Sequence, residues 1–145
     1  MCGITGFYNP SGSTTAVATD IVSSMADVIT HRGPDDNGIW IGDNNKLALA
    51  HRRLAIIDVS VAGHQPMMSS SGRFTIVFNG EIYNYIELRH DLEKLGHQFR
   101  TNSDVEVLIH LYEEYEFKAI EYLNGMFAFA LWDENKQRLW MGRDR

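Results

Sequence analysis

One cysteine, Cys2, is the chain's whole supply of thiol, so no disulfide can form within it. A lone thiol suits a reducing compartment. Residues 1–10 lack the basic start and apolar core of a secretory leader, so a cytoplasmic location is expected. No apolar run approaches the length of a membrane span, which argues against a membrane partner. Basic charge is in deficit: the net charge is −6, with both signs interleaved along the chain. A nucleic-acid-binding module would show a basic stripe, so that class is set aside. The six histidines include no pair at metal-ligand spacing such as H-E-x-x-H, and no metal is expected. No G-x-x-x-x-G-K loop occurs, so nucleotide binding within this chain has no support.

What is present is an ordinary globular composition: 145 residues, 44% hydrophobic and 22% charged. That predicts one domain with a real core. Residues 3–8 read as a short buried strand closed by Asn9-Pro10. Ile21, Met25, Val28 and Ile29 recur at helical spacing and predict a helix over 20–29. Residues 37–41 and 47–54 predict two strands joined through Asp43-Asn44-Asn45. A Gly-, Ser- and Met-rich loop follows over 58–72, then a buried strand over 74–78 that ends at Asn79-Gly80. Tyr85, Leu88, Leu92 and Leu95 share a helical face, with Gly96 as its stop. Ser103 and Glu106 fit a capping box opening a helix whose Val105, Leu108, Ile109, Tyr112 and Tyr115 face inward. A final hairpin is predicted from 127–132 and 138–142. Hairpins imply antiparallel pairing and grouped helices imply covered sheets, so the fold class is layered α+β.

Five segments could carry chemistry. Cys2 stands next to the start methionine, where a residue is ordinarily incidental and poorly ordered. Removal of Met1 would give it a free α-amino group, able to take the thiol proton and later deliver it to a leaving amine. One residue would then supply nucleophile and base together. Asn79-Gly80 reads locally as a tight turn. Alternatively, the Asn79 amide and the Gly80 N–H could serve a developing oxyanion. In 51–58, the adjacent Arg52 and Arg53 must point to opposite faces of a strand, and one could grip a carboxylate. Asp104 could pair with an ammonium or simply belong to a helix cap. His31-Arg32-Gly33-Pro34-Asp35-Asp36 reads as a helix stop and loop.

Assembled in order, Met1-Cys2-Gly3-Ile4, His31-Arg32-Gly33-Pro34-Asp35 and Asn79-Gly80-Glu81-Ile82-Tyr83-Asn84 resemble the class II glutamine amidotransferase domain over essentially the whole chain. The segment 51–58, Gln65-Pro66, Ser103-Asp104 and the run 125–130 narrow the resemblance to the glutamine-hydrolysing asparagine synthetases. Glucosamine-6-phosphate synthase and the amidophosphoribosyltransferases share the Cys and the Asn-Gly but differ around the Arg segment. The resemblance implies an N-terminal-nucleophile hydrolase fold, a four-layer αββα sandwich of two antiparallel sheets. It implies L-glutamine as substrate, with Cys2 attacking the side-chain amide and Asn79 and Gly80 forming the oxyanion hole. By the same resemblance Arg53 binds the α-carboxylate, Glu81 and Asp104 hold the α-ammonium, and Arg32 lies close by.

Relatives continue past Arg143-Asp144-Arg145 into a synthetase domain, where ATP and Mg²⁺ activate aspartate and ammonia arrives through a tunnel. The ending here reads as an incomplete glutaminase domain, with a C-terminal synthetase domain or subunit as the expected partner and no cofactor in this chain. A homodimer, a non-catalytic remnant of the fold, and a related amidotransferase with another acceptor all stay open.

Overall fold

The computed structural model describes residues 2–55 and 63–145. Met1, whose removal the expected Cys2 nucleophile would require, and residues 56–62, which end the Arg segment and begin the expected loop, lie outside the described residues.

The first sheet takes its strands from the front of the chain. Strand β1 is Gly3–Tyr8, β2 is Asp36–Gly42 and β3 is Leu47–Arg53, in the order β1-β3-β2 with antiparallel pairing throughout. The β2–β3 connection turns through Asp43, Asn44 and Asn45, all at positive φ, a conformation Asn and Asp tolerate better than most residues. Helix α1, Thr15–Val28, lies over this sheet. The second sheet has the order β4-β5-β6-β7, from Met67–Met68, Phe74–Ile82, Gly125–Asp133 and Arg138–Arg143. Helices α2, Tyr85–Lys94, and α3, Asp104–Tyr115, cover it, and a 3₁₀ segment, Glu116–Tyr122, leads back to β6.

Strand periodicity explains the layering, because alternate side chains leave opposite faces of a sheet. On β3, Ala48 and Ala50 face α1 and meet Val22 and Ala26. Leu47 and Leu49 face the other way and meet Val77 and Trp132 of the second sheet. On β5, Phe74, Ile76, Phe78 and Ile82 face α2 and α3, where they join Leu88, Leu92 and Leu108. The order is therefore helix, sheet, sheet, helix pair: the four-layer αββα sandwich of two antiparallel sheets.

Several local expectations need correction. Helix α1 begins five residues earlier than the apolar spacing predicts, because the Thr14 side chain accepts the Val17 N–H and caps it. Its buried stripe is Ala18, Val22 and Ala26, while Ile21 and Val28 are exposed, Val28 by 76%. Small residues let the helix sit close on the alanines of the central strand β3, with Phe7 and Ile41 packed beside them.

Strand β5 does not end at Asn79-Gly80 but runs on to Ile82, paired with β6 as far as Gly125. The 58–72 segment contains the short strand β4 within its described part. The capping box is only half formed. Ser103 Oγ accepts the Val105 N–H, but Glu106 turns away to accept from the backbone of Arg100 and Thr101 and from the Thr101 hydroxyl. Helix α3 is buried from Asp104 through Tyr112, not along one face, because α2, the second sheet and the 3₁₀ segment enclose it.

Candidate active site

The β1–β3 ladder pairs Gly3 with Arg52, so one step further Cys2 stands opposite Arg53. The Cys2 sulfur accepts the Leu54 N–H at 3.3 Å and lies 3.6 Å from the Leu54 carbonyl oxygen. These contacts hold a terminal residue in the sheet, where an unanchored terminus would fray. The thiol is half-buried.

Arg52 and Arg53 part as strand geometry requires. Arg52 reaches to α1, donating to the Ala26 carbonyl at 3.1 Å and pairing with Asp27. Arg53 is 8% exposed and lies on the other face. The loop after the Thr30–Arg32 turn braces this end of β3. The Asp35 N–H donates to the Arg53 carbonyl at 3.0 Å, and Asp35 Oδ2 accepts the Ala55 N–H at 2.9 Å. Gly33 packs so close that a Cβ there would fall 2.3 Å from the Arg52 carbonyl oxygen. The His31–Asp35 motif, read as a simple loop, thus fixes the backbone that carries Arg53 and touches Cys2.

The second half of the site comes from β5 and α3. Asn79 is half-buried, and its Oδ1 is shielded from solvent with no hydrogen-bond partner among the described residues. Gly80 adopts φ +152 and lies against β6, where a Cβ would be 2.1 Å from the Met126 carbonyl oxygen. Only glycine lets the strand continue at that approach. Asp104, 5% exposed, accepts the Ile82 N–H at 2.9 Å. Burial pushes its carboxyl above the usual carboxylate range. The N–H groups of Ile82, Asp104 and Val105 oppose that push, and the nearby Glu81 charge adds to it. No cation among the described residues forms an ion pair with Asp104. Glu81 itself is exposed.

His51 joins the two halves, a role its place in the motif did not reveal. Its ring is fully buried, and Nε2 lies 3.1 Å from the Phe78 carbonyl oxygen across the gap between the sheets. Arg53 follows His51 by two residues and Asn79 follows Phe78 by one. On the other side of the same peptide strand, the Phe78 N–H donates to Gln65 Oε1 at 2.6 Å. The structure therefore groups Cys2 with Arg53, groups Asn79 and Gly80 with Glu81 and Asp104, and ties the groups through His51. No hydrogen bond joins Cys2 to Asn79 among the described residues.

A family model described as a glutamine amidotransferase domain matches residues 1–145. The chain is 42% identical, over its full length, to a glutamine-hydrolysing asparagine synthetase of Bacillus subtilis, of which it covers 23%. It is 41% identical over its full length to an amidase of Gibberella zeae, also covering 23% of that protein. The chain thus spans about a quarter of the length of these curated relatives. Among solved structures, glutamine phosphoribosylpyrophosphate amidotransferase from B. subtilis superposes on 92% of the chain and 35% of its own, with a TM-score of 0.72 at 24% identity, a likeness of fold. With a family match from end to end and a four-layer sandwich shared with that amidotransferase, the chain belongs to the glutamine amidotransferase domain family.

Proposed function

We propose that this chain hydrolyses L-glutamine to glutamate and ammonia, with Cys2 as the nucleophile. The observation that carries the reading is the position of Cys2: its sulfur is pinned to Leu54 and stands opposite the buried Arg53. Once Met1 is removed, the free α-amino group takes the thiol proton as sulfur attacks the side-chain carbonyl carbon. The tetrahedral oxyanion receives hydrogen bonds from the Asn79 amide and the Gly80 N–H. Collapse breaks the C–N bond, and the proton held by the amine leaves with ammonia. Water then adds to the thioester, with the same amine accepting its proton and returning it to the departing sulfur.

Arg53 takes the substrate α-carboxylate as a guanidinium fork. Asp104 and Glu81 take the α-ammonium. A buried carboxylate held beside a second one, with no cation paired to it among the described residues, is a place where a bound cation lowers the energy. In the longer protein, the ammonia would serve the ATP- and Mg²⁺-dependent synthesis of asparagine from aspartate by a synthetase domain. The similarity to asparagine synthetases supports that acceptor. The amidase relative, equally similar over the same residues, supports the alternative that this front domain serves another acceptor.

Two measurements on the Met-processed protein test the reading. A reactive glutamine analogue should add one label at Cys2 by intact mass, and glutamine should release ammonia. Cys2→Ala should abolish both and leave glutamine binding measurable by calorimetry. Processed protein that neither labels nor turns over is a non-catalytic remnant of the fold.

A further inference from the structure

Away from Cys2, one cluster of metal-ligating groups joins the end of α2 to the middle of α3. His97 follows the helix stop at Gly96, and its backbone N–H donates to the Leu92 carbonyl at 3.1 Å, which fixes where its ring emerges. His110 and Glu113 lie on α3 one turn apart and face it. His97 Nδ1 and His110 Nδ1 are 3.0 Å apart. Glu113 Oε2 is 2.8 Å from the second of these nitrogens and 3.5 Å from the first. A tetrahedral zinc ion with bonds of about 2.0–2.1 Å spaces its ligand atoms roughly 3.3 Å apart. The three atoms therefore already outline one face of such a tetrahedron.

The surrounding groups turn both rings toward the same point. Glu114 Oε1 lies 2.8 Å from His97 Nε2, and a carboxylate only accepts, so Nε2 carries the proton and Nδ1 offers its lone pair. His110 is 7% exposed, and its Nε2 has no hydrogen-bond partner among the described residues. The nearest acid to it is Glu106, with Oε1 at 3.9 Å, and Glu106 is itself locked by Arg100 and Thr101. The Phe99 ring closes the site on one side, edge-on to His110 at 4.6 Å. Glu113 is on the solvent side. Without a metal, the proton on His110 Nδ1 lies between two acceptors, Glu113 Oε2 at 2.8 Å and His97 Nδ1 at 3.0 Å, and can point squarely at only one of them. A metal ion satisfies all three atoms.

We propose that His97 Nδ1, His110 Nδ1 and Glu113 Oε2 bind a divalent transition-metal cation of the zinc class, with water completing the coordination. Two imidazoles and one carboxylate select such an ion over calcium or magnesium, which take all-oxygen shells. The ligands straddle two elements, which is why spacing along one helix did not disclose them. Their effect is to clip the 95–103 connection against α3, the helix that carries Asp104 at its start.

The experiment uses the chelator-treated full chain, titrated with zinc by calorimetry and then with cobalt for its visible ligand-field bands. The expected result is one zinc per chain, a rise in Tm with zinc that magnesium does not reproduce, and four-coordinate cobalt bands. His97→Ala and Glu113→Gln, both partly exposed and outside the core, should each weaken zinc binding roughly tenfold or more. Cys2→Ala should bind zinc as the parent does. Absence of zinc binding by the parent overturns the proposal. So does retention of full affinity by His97→Ala, or loss of the ion in Cys2→Ala, which would place it at the thiol.

Discussion

Asn79 and His51 show how one side chain can be tested apart from its neighbours. Asn79 Oδ1 makes no hydrogen bond among the described residues, so removing it breaks none within the sandwich. Asn79→Ala should therefore leave Tm nearly unchanged and slow glutamine turnover by roughly a hundredfold or more. A turnover number close to the parent's would take Asn79 out of the oxyanion hole. His51 is a question of protons. Burial lowers its pKa to about 4, against the pull of the Phe78 carbonyl and with help from the Arg53 charge. The folded ring is thus neutral where the unfolded chain's imidazole begins to protonate. Stability is full above about pH 6.5 and falls as pH drops toward 4, by up to about 3 kcal/mol from this group. Urea unfolding at pH 7.5 and pH 4.5, compared between the parent and His51→Gln, isolates that share. The difference between the two pH values should shrink in the variant.

Among the elements, β5 has most to say about reading a sequence. Asn79-Gly80 carries the commonest turn signal, and turn chemistry predicts a strand end there. The strand continues because its partner β6 supplies the pairing, and because Gly80 accommodates the contact with Met126. Gly80→Ala should push β5 and β6 apart at that point. About 1–3 kcal/mol of stability and most of the activity should go with it, read by denaturant midpoint and by ammonia release. An alanine variant with parental activity would show that the strand can shift without cost.

Strands with strong β-branched or aromatic content and hairpins with Asn-rich turns were legible, as β1, β2 and the β2–β3 turn show. The stripe of α1 was not, because alanines that pack well leave little trace in an apolar count. Glu106 was also misread. Its spacing from Ser103 suits a capping box, but Thr101 and two backbone amides compete for it and win. Of the candidate site, Cys2, Arg53, Asn79 and Asp104 were proposed from motif resemblance. The bracing by Asp35 and the His51 tie were not, since both depend on contacts between segments far apart in sequence.

At the scale of the whole molecule, the two sheets meet through a modest apolar interface. Leu47, Leu49, Val77 and Trp132 form its buried centre, with Ile4, Trp40 and Leu139 around them. Beside it lies a cavity of about 340 Å³, reached by Phe7 and Met141. Leu49 fills the space between the layers and cannot be replaced by rearrangement of a rigid sheet. Leu49→Ala should cost about 2–5 kcal/mol, the range for a buried leucine whose gap closes only partly. Met141→Ala, on the same cavity but 69% exposed, should cost far less. Denaturation of the pair gives the ranking, and equal losses would mean that the interface is not where the layers are held.

The amide of Leu54 has an unusual acceptor, the sulfur of Cys2. In a proton–nitrogen correlation spectrum, that single peak is a built-in gauge of the thiol. Alkylation, thioester formation or oxidation at Cys2 changes the atom the amide points to, and the peak must move. A time course of its position would follow acylation directly, one residue beyond the strand, with no probe attached and no product measured.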